Sequence, residues 1–134
     1  KNSSEPGSFS VQYMYMFSDR ESGTWISNYA LDHLRHKLDF RVRYPVASLG
    51  GITLTASWQH RNGEYLYYDR TEDAYTEVRP FVSFWMVNGR VFHQRDTARF
   101  FIELSNILDV TYQDIANVPQ PGRWMKTGVS FTFR

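Results

Sequence analysis

The chain has no cysteine, which excludes a disulfide framework and a thiolate metal site and leaves the redox compartment undetermined. It also lacks a dominant charge: a formal net charge of +1 gives no electrostatic reason to expect nucleic acid or an acidic ligand. No run approaches the ~18 apolar residues that a spanning helix needs. A mean hydropathy of −0.50 would ordinarily be read as soluble, but a barrel strand that is apolar on one side and polar on the other also averages to a modest value. The chain starts at Lys1 with no initiator Met and no charged, apolar leader, as expected of a mature product, a trimmed chain or a fragment.

Aromatic residues, by contrast, are abundant. Phe, Tyr and Trp make up 17% of the 134 residues, and aromatic girdles at the two membrane interfaces are a recurring cause of such an excess in a β protein. Period-two alternation predicts six strands. From Ser8 to Phe17, residues Phe9, Val11, Tyr13, Tyr15 and Phe17 share one face. From His36 to Tyr44, Leu38, Phe40, Val42 and Tyr44 oppose Lys37, Asp39, Arg41 and Arg43. Between Gly51 and Arg61, Ile52, Leu54, Ala56 and Trp58 oppose Thr53, Thr55, Ser57 and Gln59. The run from Phe81 to His93 is blurred, although Asn88 and Arg90 point its even positions inward. Arg99 to Leu104 and Trp124 to Arg134 complete the set.

The connections alternate in length. Pro45 to Gly50 and Gln94 to Thr97 read as tight turns, whereas Ser18 to Tyr29, Asn62 to Tyr75 and Gln113 to Gly122 are long and leave the opposite end of the strands. Short turns at one end and long loops at the other are the arrangement of an outer-membrane barrel. A soluble β-sandwich or lipocalin-like barrel also alternates. Strand length favours the membrane: ~9–11 alternating residues span a bilayer at about 45° tilt, against a soluble mode near 5–6.

Lys126-Thr127-Gly128-Val129-Ser130-Phe131-Thr132-Phe133 resembles the terminal signal by which outer-membrane barrels are recognised for insertion, with Lys126, Gly128, Phe131 and Phe133 as its key positions and Arg134 following the last aromatic. Leu104 to Tyr112, with Asn106, Ile107, Leu108 and Asp109, followed by Val118-Pro119-Gln120-Pro121-Gly122-Arg123, resembles the penultimate strand and last loop of TonB-dependent outer-membrane receptors. Tyr29 to Leu38 and Arg61 to Tyr65 also look like segments of such receptors from Bacteroidetes-type bacteria. The resemblance implies an all-β transmembrane antiparallel barrel of about 22 strands filled by a plug, of which residues 1–134 would be the last six strands. It further implies energised uptake of a scarce solute of the cobalamin or iron-chelate class across the bacterial outer membrane. The implied partners are outer-membrane lipid, the rest of the barrel and its plug, TonB acting through that plug, the barrel-assembly machinery and a surface lipoprotein. No nucleic acid and no cofactor are expected.

No catalytic constellation is apparent, so a non-enzyme is expected. His33 and His36 suit a metal only on a helix, and an extended segment points i and i+3 to opposite faces. His60 and His93 lack acidic or nucleophilic neighbours in sequence, and Glu103 and Asp109 would lie ~20 Å apart along a strand. Asn2-Ser3-Ser4 matches a glycosylation sequon that has no meaning in a bacterial protein. Gly63 and Gly89 read as turn and packing positions. The ligand candidates are Tyr65, Tyr67, Tyr68 and Arg70 with Tyr112, Gln113 and Arg123, placed near the outer mouth; Tyr and Arg favour binding surfaces, though Tyr at that height also serves as a girdle residue. The alternatives are a passive porin-type or structural barrel, and a barrel esterase or protease, which would need a Ser or Asp/His constellation at the mouth.

Overall fold

In a computed structural model, residues 6–17, 26, 29, 33–46 and 50–133 are described. Among these residues ten strands occur in order: β1 (Ser8–Tyr15), β2 (Leu34–Val46), β3 (Gly50–Arg61), β4 (Glu64–Asp69), β5 (Ala74–Pro80), β6 (Phe84–Arg95), β7 (Ala98–Ser105), β8 (Gln113–Ile115), β9 (Val118–Pro119) and β10 (Trp124–Phe131). Six of them form one antiparallel sheet in the order β1-β2-β3-β6-β7-β10, while β4-β5 and β8-β9 are separate two-stranded hairpins. No α-helix is present among the described residues. The six strands of the sheet are the six that alternation predicts. β6 begins at Phe84 rather than Phe81, because the Phe81 N–H donates to the Gly63 carbonyl at 3.2 Å and its ring turns away to pack on Tyr65.

Residues directly opposite in an antiparallel pair lie on the same face, so the register tests the facing of every strand at once. One row runs Phe9–Val42–Leu54–Gly89–Leu104–Met125 across all six strands. The adjacent row on the other face runs Ser8–Arg43–Thr53–Arg90–Glu103–Lys126. Apolar and polar faces are therefore continuous. Asn88 and Arg90 of β6 lie on the polar face opposite Thr55 and Thr53, which resolves the strand whose pattern is blurred in the sequence. Ion pairs along this face include Lys37–Asp39 at 3.3 Å and Lys126–Glu103 at 3.4 Å.

The sheet is a single open layer with β1 and β10 as its edges. The accessible surface of the whole chain is 10213 Å², against about 7,300 Å² for a compact monomer of 15.8 kDa. Phe9, Val11, Leu54, Phe100, Ile102 and Val129 all remain exposed. The buried hydrophobics Leu34, Tyr65, Phe81, Phe84 and Ala116 gather instead at one end of the strands, around the long connections. Nothing within the described chain covers the apolar face.

At the other end the connections are short. Val46 pairs with Gly50, with residues 47–49 outside the described set, and Arg95 pairs with Ala98 across Asp96 and Thr97. Asp96 has φ of 49°, a left-handed conformation that Asp tolerates better than most residues. Just above these turns the polar face carries the row Gly51–Phe92–Phe101–Gly128. A Cβ on Gly128 would stand 2.7 Å from the Phe101 ring, and one on Gly51 2.9 Å from that of Phe92. The rings therefore lie across bare backbone. Gly128, a key position of the terminal segment, is the floor under Phe101. Lys126 pairs with Glu103, Phe131 closes β10, and Phe133 lies beyond it, 88% exposed, with its ring 6.4 Å from that of Phe131. Alternation predicts a strand reaching Arg134; β10 stops three residues short, at Phe131, and Arg134 is outside the described residues.

Candidate functional site

The long connections build a structured cap on one end of the sheet. The segment Asn62 to Tyr75, expected to be a loop, is largely the hairpin β4-β5. Its turn is set by the Asp69 carboxylate, which accepts the Thr71 N–H at 2.7 Å; that bond holds the Asp69 carboxyl below its ordinary pKa. The hydroxyl of Tyr68 donates to Asp73 across the same turn, which raises the phenol's pKa. Gln113 to Gly122 contains the second hairpin, β8-β9. Ser18 to Tyr29 lies outside the described residues except for Ile26 and Tyr29, the latter bridging Ile115 of β8.

Asn117 joins the two hairpins. Its side chain accepts the Tyr68 N–H at 2.8 Å and donates to the Leu66 carbonyl at 2.8 Å, so one amide pairs with the edge of β4 as a strand residue would. Asn117 has φ of 65°, and its own N–H donates to Gln113 Oε1 at 3.0 Å.

Arg61, the last residue of β3, is the anchor beneath. It is 4% exposed, donates to the Gln113 carbonyl and to Gln59 Oε1, each at 2.8 Å, and pairs with Asp114 at 3.3 Å. Its guanidinium lies 5.2 Å from the Phe84 ring centroid, and Phe84 stacks on Tyr112 at 5.0 Å. Its buried Nε has no partner. Burial pushes the Tyr112 phenol above its ordinary pKa, and nearby Asp114 adds to the shift. Replacing Arg61 with Met should free the β8-β9 hairpin at a cost of about 2 kcal/mol, within the range for hydrogen bonds to a charged group. The Asp114 carboxylate left behind is partly solvated and adds little. Amide exchange at residues 113–117 should accelerate about 30-fold while β2 and β3 stay protected; equal acceleration throughout the sheet would show that Arg61 is not a local anchor.

Two recesses open here. A recess of about 180 Å³ is lined by Arg61, Tyr65, Phe81, Phe84, Tyr112 and Gln113 among others. A shallower one of about 330 Å³ is lined by Tyr67, Tyr68, Arg70, Gln113 and Asn117 among others. Of the ligand candidates, Tyr65, Tyr112 and Gln113 thus meet in the first recess, and Tyr67, Tyr68, Arg70 and Gln113 in the second. Arg123 reaches neither; its N–H donates to the Asp109 carboxylate at 2.7 Å. Tyr65 is a buried packing residue beside Phe81, and Tyr67 lies under the Arg79 guanidinium at 3.4 Å.

The last long connection is locked by Asn106, 2% exposed and left-handed with φ of 52°. Its amide donates to the Val110 carbonyl at 2.9 Å and accepts the Val110 N–H at 3.0 Å. Asp109, with φ of 55°, holds Arg123, and a Cβ on Gly122 would stand 2.6 Å from its carboxylate oxygen. The pattern Asn106, Asp109, Gly122, Arg123 is therefore a loop clasp.

His33 packs on Phe81 at 5.0 Å, whereas His36 lies beside Tyr15 at 5.2 Å, so the two histidines face different surroundings. Among the described residues, no group of His, Asp and Glu could hold a metal ion. Glu103 and Asp109 engage Lys126 and Arg123 respectively. Arg61 and Asn117 are cap residues to which the sequence assigns no role, and Asn106 is one that it places in a pattern without a partner. Asn and Asp in loops do signal left-handed positions, but the side-chain amides of Asn106 and Asn117 find partners from 4 to 51 residues away. No protein family, curated protein or solved structure matches the chain.

Proposed function

We propose that this chain is a stretch of the wall of a bacterial outer-membrane β-barrel, the carboxy-terminal part of a TonB-dependent receptor that takes up a scarce solute of the cobalamin or iron-chelate class. The observation that carries the reading is the apolar face that continues across six strands and that no described residue covers. β2, β3 and β6 have 13, 12 and 12 residues; at ~3.4 Å per residue and about 45° of tilt they cover roughly 30 Å, the thickness of a bilayer's hydrocarbon. In that setting each unpaired N–H and C=O on the edges of β1 and β10 would cost several kcal/mol. Further strands must therefore meet both edges to close the barrel.

The remaining features follow from that placement. Long connections at one end become the outer mouth and short turns the periplasmic rim. The polar face lines the lumen against a plug, through which TonB acts. The aromatic recesses beside Arg61 meet the solute, the terminal strand is read by the barrel-assembly machinery, and the protein performs no catalysis. A test is solute uptake by cells expressing the full-length gene, intact or with its plug or its TonB contact deleted. Concentrative uptake of cobalamin or an iron chelate should vanish in the deleted forms. Uptake down a gradient that ignores both deletions would instead identify a passive porin.

A further inference from the structure

At the capped end of the apolar face the aliphatic rows give way to Tyr13–Leu38–Trp58–Trp85 and then Tyr15–His36–His60. Aromatic rings are ordinary at a membrane border, but two imidazoles and a guanidinium are not required for that. His36 Nδ1 is engaged by the Tyr13 hydroxyl at 2.6 Å, and His60 Nδ1 by the Ser83 hydroxyl at 2.7 Å. Where the hydroxyl donates, the ring is the Nε2–H tautomer, and no partner for that second nitrogen stands among the described residues. The two rings lie 5.7 Å apart. Arg35 is the extra residue where the β2-β3 register slips between Leu34 and His36. Its guanidinium sits 5.3 Å from the Tyr15 ring and 5.4 Å from that of Phe17, so Arg35 and His36 flank the same tyrosine. No described carboxylate pairs with Arg35, and the apolar-face rows of the sheet contain neither Asp nor Glu.

We infer that this corner binds the phosphate of a membrane-lipid headgroup, with Arg35 as the cation, His36 and His60 as Nε2–H donors, and the Tyr13 and Tyr15 rings against the lipid's glycerol or sugar region. The inference rests on the membrane placement proposed above. A lipid is the occupant rather than free phosphate because the donors lie on the oily side of the sheet at its border, where a headgroup already resides and a dissolved anion would have to shed water to enter.

The test uses the full-length protein in phosphatidylcholine vesicles that carry a minor fraction of spin-labelled phosphatidic acid or, in a parallel sample, spin-labelled phosphatidylcholine. The immobilised fraction of each label is compared. Wild type should select phosphatidic acid; Arg35→Gln should weaken that selection about fivefold, the effect of one cation near a charged surface, and adding His36→Phe and His60→Phe, which removes both ring donors, should abolish it. Arg41→Gln, on the polar face, should leave it unchanged. Insertion without selectivity, or an equal loss in Arg41→Gln, overturns this site while leaving the membrane reading intact. Failure to insert into either vesicle overturns both.

Discussion

Arg in place of Leu54 should destabilise the membrane-inserted protein by about 2–4 kcal/mol, the cost of a guanidinium near the hydrocarbon midplane of a barrel wall. Leu54 lies midway along β3 on the apolar face, paired with Val42 and Gly89 and 47% exposed within the chain. It is thus a surface residue whose environment is set by what wets the sheet. Two companion substitutions give the number its meaning. Thr55→Arg, one residue on and facing the polar side, should be nearly neutral. His60→Arg, at the aromatic border, should cost only about 0–1 kcal/mol, because a long side chain there reaches the headgroups. The measurement is the urea midpoint for folding into lipid vesicles. Water on the apolar face would make all three substitutions harmless. A protein layer packed on it would remove the fall in cost toward the border, and either result would end the membrane reading.

Removing the amide of Asn106 should cost a comparable amount for a different reason. In Asn106→Ala the Val110 N–H and carbonyl both lose their partner, and each polar group stranded away from water costs roughly 1–3 kcal/mol. The left-handed φ of 52° adds about 1 kcal/mol for Ala but nothing for Gly. The expected order of stability is wild type, then Asn106→Asp, which keeps the acceptor for the Val110 N–H, then Asn106→Gly, then Asn106→Ala. The last should lie about 2–4 kcal/mol below wild type. Amide exchange at Val110 and at Arg123 would report the clasp directly. A Gly variant as protected as wild type would mean that the backbone conformation alone holds the turn.

These two sites mark how far the residue order could be read. The clasp residues stand out as a pattern, Asn106 and Asp109 followed by Gly122 and Arg123, yet their spacing does not say what they do. The amide of Asn106 is spent on Val110, and the carboxylate of Asp109 on a backbone N–H 14 residues away. The aromatic and basic residues of the cap are visible as a cluster, but whether a ring lines a recess or fills a core depends on how the hairpins dock. Tyr65 is buried beside Phe81, and Arg123 offers its backbone rather than its guanidinium. Arg61 has no distinguishing neighbour in sequence; its role comes from Gln113 and Asp114, 52 and 53 residues further along.

Strand placement, facing and the end from which each connection leaves were already determined by composition and period-two order. Alternation is a local property, and one residue of slip would move an entire strand's apolar set to the wrong side. Even the blurred β6 takes its facing from Asn88 and Arg90. Folding the long connections into hairpins, and joining those hairpins through Asn117, was decided only in three dimensions. The bonds that do so link residues about 50 positions apart, and no short-range pattern encodes a partner at that distance.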